Sequence, residues 1–281
     1  MSLPVHWLNL QAGADPGVND RGFRYGDGLF ETLRYYRGQW QLLDFHLQRL
    51  QLGCEVLEIS FPADKIQAQL ALAVCYLQER DLEEACGRLA VTRGDSDRGY
   101  AALCASPNLV LSLTPVSLLW REVPAPASLI RCELPLASQP RLAGLKHSNR
   151  LEQVLAAREV SREQADEGLL LNGQGEIVSA VSANVFGVFD ACLLTPPLRA
   201  CGVAGTVRRL ILEELAAAAG MDVEEATLCW ADLQQAEELF LTNSLVGIWS
   251  VAHCPGRNFT SSRWGDTLRE LFFEHLDPTP A

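Results

Sequence analysis

A chain of 281 residues, 48% hydrophobic and 21% charged, is long enough for two modest domains and can bury a substantial core. A net charge of −12 with no basic cluster argues against nucleic acid and anionic lipid as partners. No run of eighteen apolar residues exists and no secretion signal opens the chain, so the expectation is a cytoplasmic protein acting on a small molecule, with no membrane role.

Nine cysteines, at positions 54, 75, 86, 104, 132, 192, 201, 229 and 254, stand singly among apolar residues without CxxC or zinc-type spacing. They read as reduced core thiols.

The first element, "DRGFRYGDGLFETLR" at 20–34, has glycines at 22, 26 and 28. It lacks a helix-opening GxGxxG after a strand, so tight turns bearing aromatics explain it better than a nucleotide loop. "QWQLLDFHLQRLQLGCEVLEI" begins as a strand at 40–43 and becomes helical, with Leu47, Leu50, Cys54 and Leu57 at three-to-four spacing. Pro62 marks the start of a second helix through "DKIQAQLALAVCYLQERD", where Lys65 suits an exposed helix start. "GRLAVTRG" and "PNLVLSLTPV" read as buried strands. Between them the polar loop "TRGDSDRGYA" carries Arg93 and Arg98, either of which can grip a carboxylate with two hydrogen bonds or simply be solvated.

The proline-bearing stretch 116–127 reads as a linker between an N-terminal α/β domain, 1–115, and a C-terminal domain, 128–281. Beyond it, "SLIRCELPLA", "EGLLLN", "GEIVSAVSANVFGVFD" and "CLLTPP" are strand-like. An alanine-rich helix is expected at 206–219, and "AEELFLTNSLVGIWSVA" reads as a strand, a polar turn and another strand.

Chemistry concentrates at a few points. Only two of the 23 basic residues are lysines, and Lys146 in "LAGLKHSNRLEQ" lies just ahead of a helix for which Asn149 and Glu152 fit a capping box and Leu151, Val154 and Leu155 an apolar stripe. A lysine amine can lose its proton and act as a nucleophile, which a guanidinium cannot. "CGVAGTVRRL" sets two glycines at a turn opening onto a helix, an arrangement that either caps the helix or cups an anion, with the Thr206 hydroxyl beside it. Thr242, Asn243 and Ser244 interrupt an apolar run with hydrogen-bonding groups. An anion cup, a lysine off the surface and arginines for an acidic substrate are what a pyridoxal phosphate enzyme requires.

In order along nearly the whole chain, "DRGFRYGDGLFET", "LLDFHLQRL", "VTRGDSDRGY", "LAGLKHSNRLEQVLA", "SANVF", "CGVAGTVR" and "ADLQQAEELFLTNSLVGIWSV" resemble the fold-type IV pyridoxal phosphate enzymes. That family includes branched-chain and D-amino-acid aminotransferases. The run K-H-x-N-R-L-E-Q-V is similar to its 4-amino-4-deoxychorismate lyase branch.

The resemblance implies an α+β, two-domain, D-amino-acid aminotransferase-like fold, with a smaller N-terminal α/β domain and a larger, β-barrel-like C-terminal domain with helices. It implies pyridoxal 5'-phosphate as cofactor, joined to Lys146, which also moves the proton. Arg49 would pair with the cofactor phosphate, and the N–H groups of Thr206 and Val207 together with Ser244 would complete the cup. Thr32 would donate a proton to the leaving group. Arg98 and Arg93 would lie near substrate carboxylates, with Tyr25, Phe30 and Asn243 completing the substrate-binding set.

The implied reaction is elimination from 4-amino-4-deoxychorismate to give pyruvate and 4-aminobenzoate, a folate precursor, in a homodimer. One position departs from the family. A glutamate usually stands five residues before the asparagine of "NxF", where it holds the ring nitrogen protonated; here that residue is Ser179, and Glu176 could replace it only through a register shift or bulge. Ser179 disfavours an efficient aminotransferase, the alternative activity, and leaves room for a relative with weakened activity.

Overall fold

The computed structural model describes residues 3–101, 106–190 and 192–276; Cys104 lies outside them. The chain forms two compact units: residues 1–120 with 145–149, and residues 121–144 with 150–281. The division thus falls within the 116–127 stretch, and five residues around Lys146 return to the first unit.

The first unit contains β1 (Val5–Leu8), β2 (Gln11–Ala12), α1 (Arg21–Tyr25), β3 (Gly28–Tyr36), β4 (Gln39–Trp40), α2 (Leu43–Val56), α3 (Ala63–Gln78), β5 (Glu84–Thr92) and β6 (Asn108–Thr114). Its six strands form one antiparallel sheet in the order β2-β1-β6-β5-β3-β4. Alternation along β5 and β6 turns Leu89, Val91, Leu109, Leu111 and Leu113 to a buried face. α2 and α3 add Leu50, Cys54, Ile66, Leu70 and Leu77 to this core. Gly53 lets α2 lie close to β3, since a Cβ there would come within 2.7 Å of Leu29. The strand expected at 40–43 ends at Trp40, because Leu42 turns to a positive φ of 50° and α2 begins at Leu43.

The second unit contains β7 (Ala127–Arg131), α4 (Leu151–Glu163), β8 (Glu167–Leu171), β9 (Ile177–Ala180), β10 (Asn184–Phe189) and β11 (Cys192–Thr195). α5 (Thr206–Leu210) runs through a π-turn at Ile211–Leu215 into α6 (Ala216–Ala218). Then come β12 (Asp222–Glu225), α7 (Trp230–Leu233), β13 (Glu238–Asn243), β14 (Gly247–Cys254), β15 (Arg257–Asn258) and α8 (Arg263–Leu276).

Nine strands make one mixed sheet, β12-β11-β10-β13-β14-β7-β8-β9, with β15 on β14. β9, at the end of that path, comes back against β10, which gives the sheet its barrel-like curl. β8 and β9 are buried along their full length and β10 nearly so, consistent with composition that is apolar except for Glu167, Ser179 and Asn184. Phe186 and Phe240 stack at 5.2 Å inside. α8, absent from the reading of the sequence, buries Leu268 and Phe272, while Arg269 donates to the carbonyls of Val246, Ile248 and Glu122.

The capping box expected ahead of α4 does not form. Arg150 occupies the N-cap, Asn149 Nδ2 donates instead to the Gly26 carbonyl at 3.0 Å, and Glu152 accepts the Ala137 N–H. The residues before the helix are drawn onto β3, which takes the capping side chain with them. The stripe of Leu151, Val154 and Leu155 is exposed, at 78%, 47% and 47%, and only Ala156 is buried on α4.

Gly168 on β8 has no room for a side chain, since a Cβ would lie 2.4 Å from Cys132 Sγ and 2.8 Å from Val160. Gly168→Ala should therefore destabilise the protein by about 1–3 kcal/mol through overpacking, read as a lower Tm and an unchanged urea m-value.

Candidate functional site

In the first unit, residues 146–148 lie along the edge of β3. The Phe30 N–H donates to the Lys146 carbonyl and the Ser148 N–H to the Gly28 carbonyl, both at 2.9 Å, and Leu29 bridges to His147. Gly28 itself lies close against β5, where a Cβ would come within 2.7 Å of the Val91 carbonyl. Lys146 is half-buried, and its Nζ lies 4.6 Å from the centroid of the Phe30 ring.

Phe30 and Thr32 share one face of β3, and the register sets Arg88 of β5 directly beside Thr32. The Arg88 guanidinium stacks over the same Phe30 ring at 3.6 Å and has no carboxylate partner among the described residues. A lysine, a threonine hydroxyl and an arginine therefore surround one aromatic ring. Reading the sequence missed Arg88; its signal was a lone cation inside an otherwise apolar strand.

Glu31 points to the opposite, helix-covered face, where it is 1% exposed. Its Oε1 accepts from Arg49 Nε at 2.8 Å, and its Oε2 accepts from Arg49 Nη2 and, at 2.5 Å, from the His46 ring. Burial pushes the Glu31 carboxyl up, but the charge and hydrogen bonds of Arg49, aided by His46, outweigh it and hold the pKa at about 2. His46 is pushed down by burial, against the pull of Glu31, with the charges of Arg49 and Lys146 acting in the same direction as burial. Glu31 and His46 also escaped the sequence reading, because nothing local marks which helix residues meet a strand carboxylate.

The two arginines of the 92–101 loop differ. Arg93 donates to both oxygens of Asp27 and to the carbonyls of Leu57 and Glu58 at the end of α2. Its fork is therefore engaged within the fold of the first unit. Arg98 is exposed and has no hydrogen-bond partner among the described residues. Tyr25 packs its ring 5.4 Å from that of Tyr100, and its hydroxyl receives the Gly99 N–H at 3.4 Å.

In the second unit, Thr206 and Val207 are the buried first residues of α5, and Gly205 is its N-cap. Asn184 secures this start, accepting the Gly205 N–H at 3.1 Å and donating to the Val203 carbonyl at 2.9 Å. Gly205 is obligatory, since a Cβ would lie 2.0 Å from Asn184 Oδ1. The neighbouring strand pairs Asn184 with Thr242, whose buried hydroxyl has no partner among the described residues. Ser244 follows in the turn, while Asn243 Oδ1 accepts the N–H groups of Leu245 and Val246. Asn243 thereby closes the turn, which accounts for it without a substrate.

Ser179 is buried on β9, and its hydroxyl makes no hydrogen bond among the described residues. A bulge does fall between the pairs Leu170–Ser179 and Leu171–Ile177, yet Glu176 stays in the preceding turn with its carboxylate on Asn172 Nδ2 at 2.7 Å. Glu167, another acid the sequence reading passed over, accepts the N–H groups of Val181 and Ser182 and the Ser182 hydroxyl. Burial pushes its carboxyl up against those bonds. The clasp fixes the turn between Ser179 and Asn184.

The amino-transferase class IV family model matches residues 28–254. An aminodeoxychorismate lyase of Vibrio harveyi is 33% identical over 88% of this chain and 90% of its own length. A putative branched-chain-amino-acid aminotransferase of Methanocaldococcus jannaschii is 31% identical over 92% and 89%. The crystal structure of 4-amino-4-deoxychorismate lyase from Pseudomonas aeruginosa superposes with a TM-score of 0.87 at 38% identity, covering 97% of this chain and 99% of that one.

Because the Glu31 pKa falls from 4.5 to about 2 on folding, its contribution to stability is fully present above pH 4.5 and is lost as pH falls towards 2. Glu31→Gln should cost about 3 kcal/mol at pH 7 and flatten the loss of stability between pH 5 and pH 2, as measured by urea denaturation across that range.

Proposed function

The chain belongs to the amino-transferase class IV family, and on that premise we propose that it is a 4-amino-4-deoxychorismate lyase dependent on pyridoxal 5'-phosphate, releasing pyruvate and 4-aminobenzoate. The observation that carries this reading is the ring of Phe30 with Lys146 and Arg88 against it and Thr32 beside it. The identities to lyases over nearly the full chain support it.

The donor set suits a phosphorylated pyridine aldehyde. The first unit brings a lysine amine; the second, by itself, brings the N–H groups opening α5 behind a glycine with no room for a Cβ, a Thr242 hydroxyl with no hydrogen-bond partner among the described residues, and Ser179. Arg49, held by Glu31, brings a fixed cation for the phosphate. Held by these residues, pyridoxal phosphate would supply an aldehyde for the substrate amine and an electron sink for the carbon that bears it.

The remaining work falls to side chains. The Lys146 amine takes the proton from the carbon bearing the substrate amine, since lysine alone among the cations here can shed its own. The Thr32 hydroxyl, on the face shared with Phe30, donates a proton to the departing enolpyruvyl oxygen. Arg88 and Arg98 pair with the two carboxylates of the substrate.

Ser179 offers the ring nitrogen a neutral hydrogen bond where a carboxylate would keep it protonated. Negative charge at the substrate carbon is then less stabilised. Elimination that creates an aromatic ring has its own driving force and tolerates this better than transamination does. The second reading, a class IV aminotransferase, draws on the 31% identity to the archaeal relative. In either reading the enzyme is a cytoplasmic homodimer: the eight described cysteines are free, and the exposed Leu151, Val154 and Leu155 suit a second copy.

Incubation with 4-amino-4-deoxychorismate should yield pyruvate and 4-aminobenzoate without a keto-acid co-substrate; turnover confined to amino-acid and keto-acid pairs would establish the aminotransferase instead. Thr32→Val should lower kcat by about 10²-fold with cofactor absorbance retained, and equal loss of both would remove Thr32 as the acid. Ser179→Glu should shift the pH dependence of the cofactor spectrum and raise transaminase side activity, whereas an unchanged spectrum would place residue 179 away from the ring.

A further inference from the structure

The loop bearing Arg98 is tied to one buried side chain. Arg21, the first residue of α1, is 4% exposed. Its Nε donates to Asp27 Oδ2 at 2.8 Å. Its Nη1 donates to the Ser96 hydroxyl at 3.2 Å and to the Gly99 carbonyl at 2.9 Å, and its Nη2 donates to the Tyr100 carbonyl at 2.7 Å. The guanidinium therefore holds the chain on both sides of Arg98.

The surroundings reinforce the tie. The Arg21 N–H donates to the Gly94 carbonyl where the loop begins, and the guanidinium carbon lies 4.9 Å from the centre of the Tyr25 ring. Asp27 is gripped from its other side by Arg93. Asp27 is shared between the two guanidiniums, and what Arg21 brings to the loop is hydrogen-bond geometry at three of its groups. Lysine could keep the charge near Asp27 but could not reproduce a planar fork reaching two carbonyls and a hydroxyl.

We propose that Arg21 is a positioning residue for substrate binding, presetting the loop 96–100 so that Arg98 meets a substrate carboxylate without first having to be ordered. This rests on the reading of Arg98 as a carboxylate-binding residue. A preset loop lowers the entropy lost on binding, so the effect falls on KM and leaves the chemical step alone.

The test is steady-state kinetics of the holoenzyme with 4-amino-4-deoxychorismate, together with amide hydrogen exchange, for Arg21→Lys, Arg98→Gln and the double variant. Each single substitution should raise KM about tenfold with kcat within about twofold, and the double variant should be no worse than either, because both act through one contact. Amides of residues 96–100 should exchange faster in Arg21→Lys but not in Arg98→Gln.

An unchanged KM in Arg21→Lys while Arg98→Gln raises it overturns the proposal and leaves the reading of Arg98 standing. An unchanged KM in Arg98→Gln, or no turnover by the wild type, overturns both. Joint loss of kcat and cofactor absorbance in Arg21→Lys, or KM effects that multiply in the double variant, overturns the positioning role alone. Should Arg21→Lys not fold, Ser96→Ala removes one partner of the same guanidinium; it should raise KM about threefold, and no change overturns the proposal.

Discussion

Two backbone hydrogen bonds, from the Phe30 N–H to the Lys146 carbonyl and from the Ser148 N–H to the Gly28 carbonyl, fix the one lysine that lies off an exposed helix. They treat residues 146–148 as a short added strand, which is far stiffer than a loop tethered only at its ends. Much else follows from this pairing. α4 starts without the cap its sequence offers, because Asn149 is held at Gly26. The Phe30 ring becomes a platform against which the Lys146 and Arg88 side chains both rest.

The same physics of carboxylate and guanidinium serves opposite ends within the first unit. Glu31 with Arg49 and His46, and Asp27 with Arg21 and Arg93, are buried charge clusters in which each ion offsets the desolvation cost of its neighbour. Arginines so engaged are fixed in place by the fold. Arg88 and Arg98 have no such carboxylate partner among the described residues. The second unit relies more on backbone groups, with Asn184 holding the start of α5 and Glu167 clasping the turn ahead of it. Ser179, buried on β9, directly precedes the turn that Glu167 clasps.

Most strands and both long helices of the first unit were legible in the sequence, since a period of two or of about 3.6 in apolar residues is a local property of a short window. Lys146 stood out in the sequence because its chemistry is unavailable to the arginines that fill nearly every other cationic position. The ordered motifs that resemble a known family drew attention to Thr32, Arg49 and the opening of α5 as well. The stripe on α4 misled because an apolar face announces burial without saying against what. α8 went unread although it carries a clear apolar face, and its buried Arg269 gave no hint of the three carbonyls it serves.

What the sequence by itself determined is therefore most of the elements, the resemblance to a family, and the serine where an acid is usual. Only the tertiary structure decided which arginines are tied to carboxylates within the fold. Arg93 meets Asp27 across 66 positions and Arg21 meets Gly99 across 78. Propensity and periodicity act within a turn or two of chain, whereas a charged group takes its role from whichever partner the packed sheet delivers to it.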